Sequence, residues 1–216
     1  MRVLLIDHGC CDHDHTRAHR CREALADAGV VAMVCGPSSV PRLEEHHPGM
    51  FGIHLHAIAA ASHRFLAAVQ EGSPESLLAA VPLLSPRLLG SVRETARQLI
   101  AEAVDACDPD AIFVLHAGIL ADLAIETGVP VALHAAAGDL AVAAGSDRVR
   151  DLVAAALGSA EAVVAEDDAT AAAIARDWLD PDDAANRPQI VVFAAGPDRA
   201  AEMLAACERA LARRRG

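Results

Sequence analysis

Apolar residues in this chain fall into short unbroken runs separated by stretches of helical period. Arg2-Val-Leu-Leu-Ile-Asp7 stays apolar from Val3 until Asp7, the pattern of a strand covered on both faces in a parallel sheet. Thr16 then opens a stretch with Ala18, Cys21, Leu25 and Ala28 at three- and four-residue spacing, and Gly29 stands where a left-handed cap closes a helix. Val30–Cys35 is a second run, halted by Gly36-Pro37. Strand, helix and strand in that order predict parallel strands joined by a right-handed crossover.

The rhythm returns in Asp110–His116, Val129–His134, Glu161–Ala165 and Gln189–Phe193, each followed or preceded by a helical stretch, and Met50–His56 reads as a further strand. Such alternation predicts an α/β fold, a Rossmann-like, doubly wound and mostly parallel sheet of about six to seven strands. Residues 57–107 form a helical insert larger than a crossover needs. Its Ser85-Pro86 start, followed by Leu88, Val92, Ala96, Leu99 and Ala103, predicts one long amphipathic helix, and the pieces before it suit a mobile flap. A last helix over 198–215 carries Ala201, Leu204, Ala205 and Leu211 on one face and ends in three arginines that complement its C-terminal dipole. The whole of 1–216 is expected to form one domain.

Composition narrows the chemistry. The chain has no Lys and no Tyr, which removes a Schiff-base lysine, a phosphate loop ending in Gly-Lys and a tyrosine acid. A net charge of −12 with four Phe and one Trp argues against nucleic acid, which needs cations and stacking surfaces. Only a few apolar residues precede Asp7, fewer than a signal peptide needs, and Ala57–Val69 is broken by His63-Arg64, so no membrane span is expected. These features predict a cytoplasmic protein whose six cysteines are buried apolar groups or free thiols.

Ligands of open parallel sheets bind beyond the carboxyl ends of the strands. Those ends here read Asp7-His8-Gly9-Cys10-Cys11-Asp12-His13, His116-Ala-Gly118, His134-Ala-Ala-Ala-Gly138-Asp139, Glu166-Asp167 and Gly196-Pro197-Asp198. His116 and His134, each closing an apolar run, are candidates for ligand contact or for a structural hydrogen bond. The first loop lacks G-x-G-x-x-G, so no tightly held dinucleotide is expected, and no G-x-S-x-G nucleophile is present. The set His8, Cys10, Cys11, His13, His15 and His19 offers imidazole and thiolate ligands, but without a C-x-x-C pair. A metal is therefore not expected, and a stand-alone metal-dependent enzyme using residues 8–21 remains an alternative reading.

The order of these motifs resembles the N-terminal, acceptor-side domain of family 4 glycosyltransferases of the GT-B type. Gly9, His19 and Ala28-Gly29-Val30 stand where that family has its glycine loop, helix histidine and helix end; Pro109-Asp110 through His116 and Gly128-Val129-Pro130 through His134 resemble its two His-ending strands. Glu166-Asp167 is similar to its Ser-Glu pair and Ala195-Gly196-Pro197-Asp198 to its closing motif. The resemblance covers residues 1–198 and departs in the loops, where Ala135, Glu166 and Ala195 replace Gly, Ser and Asn; the family's nucleotide-sugar domain has no counterpart in the 216 residues. It implies His134, His116 and Asp139 as catalytic residues, with Gly9, Cys10, His13, Glu166 and Gly196 facing the nucleotide sugar. It further implies a small-molecule or glycan acceptor, no tightly bound cofactor, and a donor-domain partner or a homodimer. A non-catalytic auxiliary protein on the same scaffold is the rival of another class.

Overall fold

A computed structural model describes residues 1–9, 17–38, 49–54, 62–71, 73–180, 187–193 and 199–215. Seven strands, β1 (Arg2–Ile6), β2 (Val31–Ser38), β3 (Met50–His54), β4 (Ala111–Val114), β5 (Val131–Ala135), β6 (Ala162–Ala165) and β7 (Gln189–Val192), form one sheet in the order β3-β2-β1-β4-β5-β6-β7. Every neighbouring pair is parallel. The chain moves outward from β1 through β2 to β3 and then returns to β4 on the other side of β1. The order therefore reverses between β1 and β4, which opens a crevice at their carboxyl ends.

Alternation along β1 sorts its side chains between two cores. Leu4 and Ile6 face one core, and Val3 and Leu5 face the other. The first face is covered by α2 (His63–Glu71), α3 (Pro74–Ala80), α4 (Pro86–Cys107), α5 (Ala121–Glu126), α6 (Ala137–Ala144), α7 (Asp147–Ser159) and α8 (Asp168–Asp177), with a 3₁₀ turn at Val81–Leu83. The second carries α1 (Arg17–Asp27) through Ala18, Cys21 and Leu25, and α9 (Arg199–Arg215) through Met203, Ala206, Cys207 and Ala210. Gly29 closes α1 at φ 78°, a left-handed position that suits glycine.

Several boundaries differ from the sequence reading. Strand β2 runs through Gly36-Pro37 to Ser38 and pairs there with Gly52, Ile53 and His54. The Cys35 carbonyl accepts the Asp7 N–H. Pro37, two residues on, therefore turns its missing donor to the same side, where β1 has already ended. The pieces before α4 are not a separate flap: Phe65, Val69, Leu77 and Leu78 are buried in the core under the sheet. Ser85 caps α4 by accepting the Leu88 N–H at 3.2 Å, as its position before Pro86 suggests. The buried stripe of α4, however, is Leu89, Val92, Ala96, Ile100, Ala103 and Cys107, so Leu88 and Leu99 sit at its border. The stripe of α9 is offset in the same way, leaving Ala201 exposed. Arg213 and Arg214 do more than answer a helix dipole: they reach the carbonyl of Arg187 and the carboxylate of Glu161. Cys21, Cys35, Cys107 and Cys207 are buried free thiols, and no helix among the described residues is long and apolar enough to cross a membrane.

Candidate functional site

The crevice between β1 and β4 collects buried polar side chains. The Leu115 N–H donates to the Ile6 carbonyl at 2.8 Å, and this last backbone bond fixes the height at which Asp7-His8 and His116 leave their strands. Asp7 accepts the Gly9 N–H at 3.0 Å, which folds the first loop back on itself. Gly36 lies against that turn, where a Cβ would stand 3.1 Å from the Asp7 carbonyl oxygen.

His8 lies over Gly118. A Cβ at position 118 would meet its Nε2 at 2.6 Å, so only glycine leaves room for the ring. Nε2 accepts the backbone N–H of Leu120 at 2.9 Å, which puts the imidazole proton on Nδ1. Burial, with His116 next to it, pushes His8 down to about 3, so the ring is neutral at ordinary pH.

His134, at the end of β5, donates Nδ1–H to the Leu115 carbonyl at 3.2 Å. Its Nε2 faces the Arg17 guanidinium at 3.4 Å and accepts from it. Phe193 stacks on the ring with centroids 5.5 Å apart. Burial, the Arg17 charge and His116 together push His134 down to about 3, and it too is neutral.

His116 lies between two carboxylates. Its Nδ1 is 3.3 Å from Asp139 Oδ2, and its Nε2 is 3.7 Å from Asp7 Oδ1. Burial alone raises the Asp139 carboxyl, but the hydrogen bond from His116 and the facing imidazoles outweigh it and hold the group below the usual carboxylate range. Asp139 is thus an ionised acceptor, 0% exposed, in the first turn of α6. A carboxylate that orients an imidazole is an arrangement suited to taking a proton from a hydroxyl.

Three buried polar atoms in this cluster have no partner among the described residues: Nδ1 of His8, Oδ1 of Asp139 and Nε of Arg17. Buried polar groups are nearly always satisfied, so a donor, an acceptor and a cation left open together mark a place for a polar ligand or water.

The structure thus brings together His116, His134 and Asp139, with Gly9 beside them, and adds Asp7, His8 and Arg17. Arg17 has a sequence signal: a cation in the first turn of a helix opposes the dipole and needs another reason to be there. Glu166, expected to face the nucleotide sugar, is engaged by a backbone group. It accepts the Ala137 N–H at 2.8 Å and so serves the N-terminus of α6, one strand away. His19 is half-buried in α1. Cys10, Cys11, His13, His15 and Gly196 lie outside the described residues. Among the described residues no group of three His, Cys, Asp or Glu side chains is arranged to hold a metal ion.

No protein-family model matches this sequence, and no curated protein does. Among solved structures, a sucrose-phosphate synthase chain from Thermosynechococcus elongatus superposes with a TM-score of 0.53 at 14% identity, over 95% of this chain and 94% of that one. Looser likenesses are to MurG of Acinetobacter baumannii (TM-score 0.45, 15% identity, 91% of this chain and 46% of that one) and to UGT89C1 of Arabidopsis thaliana complexed with UDP (TM-score 0.46, 15% identity, 91% and 49%). This chain spans about half the length of those two. The sucrose-phosphate synthase likeness shows the fold alone, a Rossmann-like α/β unit.

Proposed function

We propose that this chain is the acceptor-side unit of a glycosyltransferase, working with a separate donor-binding partner to move a sugar from a nucleotide sugar to a small-molecule or glycan acceptor. The observation that carries the reading is the His116–Asp139 pair, buried at the point where the strand order reverses, in a fold shared with a sucrose-phosphate synthase chain. His116 accepts the proton of the acceptor hydroxyl, and Asp139 holds the ring in register. His8, neutral, offers its Nδ1–H without adding charge, and His134, also neutral, holds Arg17 in place. The Gly9 loop and Arg17 face the leaving diphosphate, whose departure is helped by positioning and electrostatics.

One observation favours a different reading, a non-catalytic partner protein on the same scaffold. His8 and His134 each spend one ring nitrogen on a backbone group of the β4–α5 connection, which is what structural tethers do. The two readings separate in one experiment. The protein is purified from its host through a tag without a histidine run and weighed by native mass spectrometry, and any complex is assayed with nucleotide sugars. Transfer by the complex, lost in His116→Ala and Asp139→Asn while the complex still assembles, supports the transferase. Transfer that survives both changes, or that needs no copy of this chain, refutes it.

A further inference from the structure

A groove of about 460 Å³ lies between the first turns of α4 and α7, lined by Pro86, Leu89, Gly90, Leu152, Arg148 and Asp151, with Arg93 at one end. Its side chains are committed unequally. Arg93 is paired, holding Asp122 with both terminal nitrogens and donating to the Ile119 carbonyl at 3.1 Å. Arg148 spends one N–H on the Leu84 carbonyl at 2.8 Å. Asp151, one helical turn further along the same face of α7, forms no ion pair with it.

Two more features surround the groove. Gly90 stands inside α4, where glycine weakens a helix, yet a Cβ there would meet nothing within 4 Å. The described residues give no steric reason for a missing side chain there, and the bare backbone leaves room for a close approach. Leu83 is 52% exposed on the 3₁₀ turn that packs against α7, one of four large apolar side chains left open among the described residues.

We propose that this face is the interface through which two copies of the chain pair. The charges select the occupant. An anionic ligand meets Asp151 and a cationic one meets Arg148, each at a cost, whereas the same face turned about a two-fold axis sets Arg148 of each copy against Asp151 of the other. The patch carries both a knob, Leu83, and a groove to receive it, so the contact is self-complementary and closes at two copies. The inference is independent of sugar transfer, since the groove shares no residue with the His116 cluster.

The test is the solution mass of the full chain, with a reversal of charge. Sedimentation or light scattering should give twice the chain mass for the native protein. Leu83→Asp, Arg148→Asp and Asp151→Arg should each reduce it to the single-chain mass. All three positions lie on the surface, and circular dichroism checks that they leave the fold intact. An equimolar mixture of Arg148→Asp with Asp151→Arg should restore the doubled mass, because the two altered faces complement each other and neither complements itself. A native chain of single mass overturns the proposal, whether or not the groove takes up an apolar dye. So does a doubled mass that survives all three changes, which places the contact on another face, and so does failure of the mixture to restore pairing.

Discussion

The imidazole of His8 accepts the backbone N–H of Leu120 at 2.9 Å across a residue, Gly118, that has no side chain to obstruct it. The two ends of the crevice, one after β1 and one after β4, are thereby tied through a ring. Gly118→Ala sets a methyl 2.6 Å from Nε2 and 3.2 Å from Leu78, and is expected to cost about 1–3 kcal/mol as overpacking. Urea unfolding measures it. In a His8→Ala background the same change should cost much less, because the obstructing ring is gone. Equal costs in both backgrounds would show that the ring is not what the glycine accommodates.

Acid should destabilise the protein well above the carboxylate range. His8 and His134 sit at about 3 when folded and near the ordinary 6.5 when unfolded. Between those values the unfolded chain binds protons that the folded one refuses, so stability falls as pH falls from 6.5 and the loss levels off below 3. Two such rings give a slope of up to about 2.7 kcal/mol per pH unit in mid-window. Asp139, lowered in the fold, adds a further loss as pH drops through its folded value. Urea midpoints at pH 7 and 5 check this, and His134→Asn should flatten the curve by roughly half. A midpoint that does not move between those pH values rules out two buried neutral rings.

Asp139→Asn keeps the shape of the side chain but removes the charge that faces His116. Under the proposed function, in which the pair moves a proton, turnover of the complex with the donor-binding partner should fall by roughly 10²–10⁴. The variant should remain folded and still join its partner. Turnover within a few-fold of native would show that His116 acts without Asp139, or that neither takes part.

Glu166→Ala removes the oxygen that accepts the Ala137 N–H, an exposed helix cap, and should cost about 1 kcal/mol. Because the side chain is engaged with α6, the change should shift the thermal midpoint and raise the KM for nucleotide sugar little. A large rise in KM at unchanged stability would return Glu166 to the donor site.

What could be read from the sequence was local. The run after Arg2, the Gly29 cap and the Ser85-Pro86 helix start each depend on a few consecutive residues, and each appears close to where expected. His116 and His134 were legible because the strand-end rule needs only the strand. The link from His116 to Asp139 was not, since it joins the β4–α5 connection to the first turn of α6, 23 residues further along the chain. The α4 stripe was displaced by one residue because Leu88 and Leu89, like Leu99 and Ile100, offer two overlapping apolar faces at the same period. The bond from Ala137 to Glu166 was out of reach for a related reason: the helix it caps begins 29 residues earlier in the chain. Pro37 looked like a strand end only because the strand beside it could not be seen to stop first.

The second face of the sheet has a consequence for how the protein is made. Val3, Leu5, Phe113, Ala132 and Val164 are covered there by α1 and by α9, which the ribosome makes only after all seven strands. Until residues 199–215 have left the exit tunnel, a nascent chain with most of its strands already synthesised leaves part of that apolar face uncovered. Closure of this face therefore waits on residues 199–215, and a product stopped before them is a client for chaperones and proteases rather than a smaller working domain.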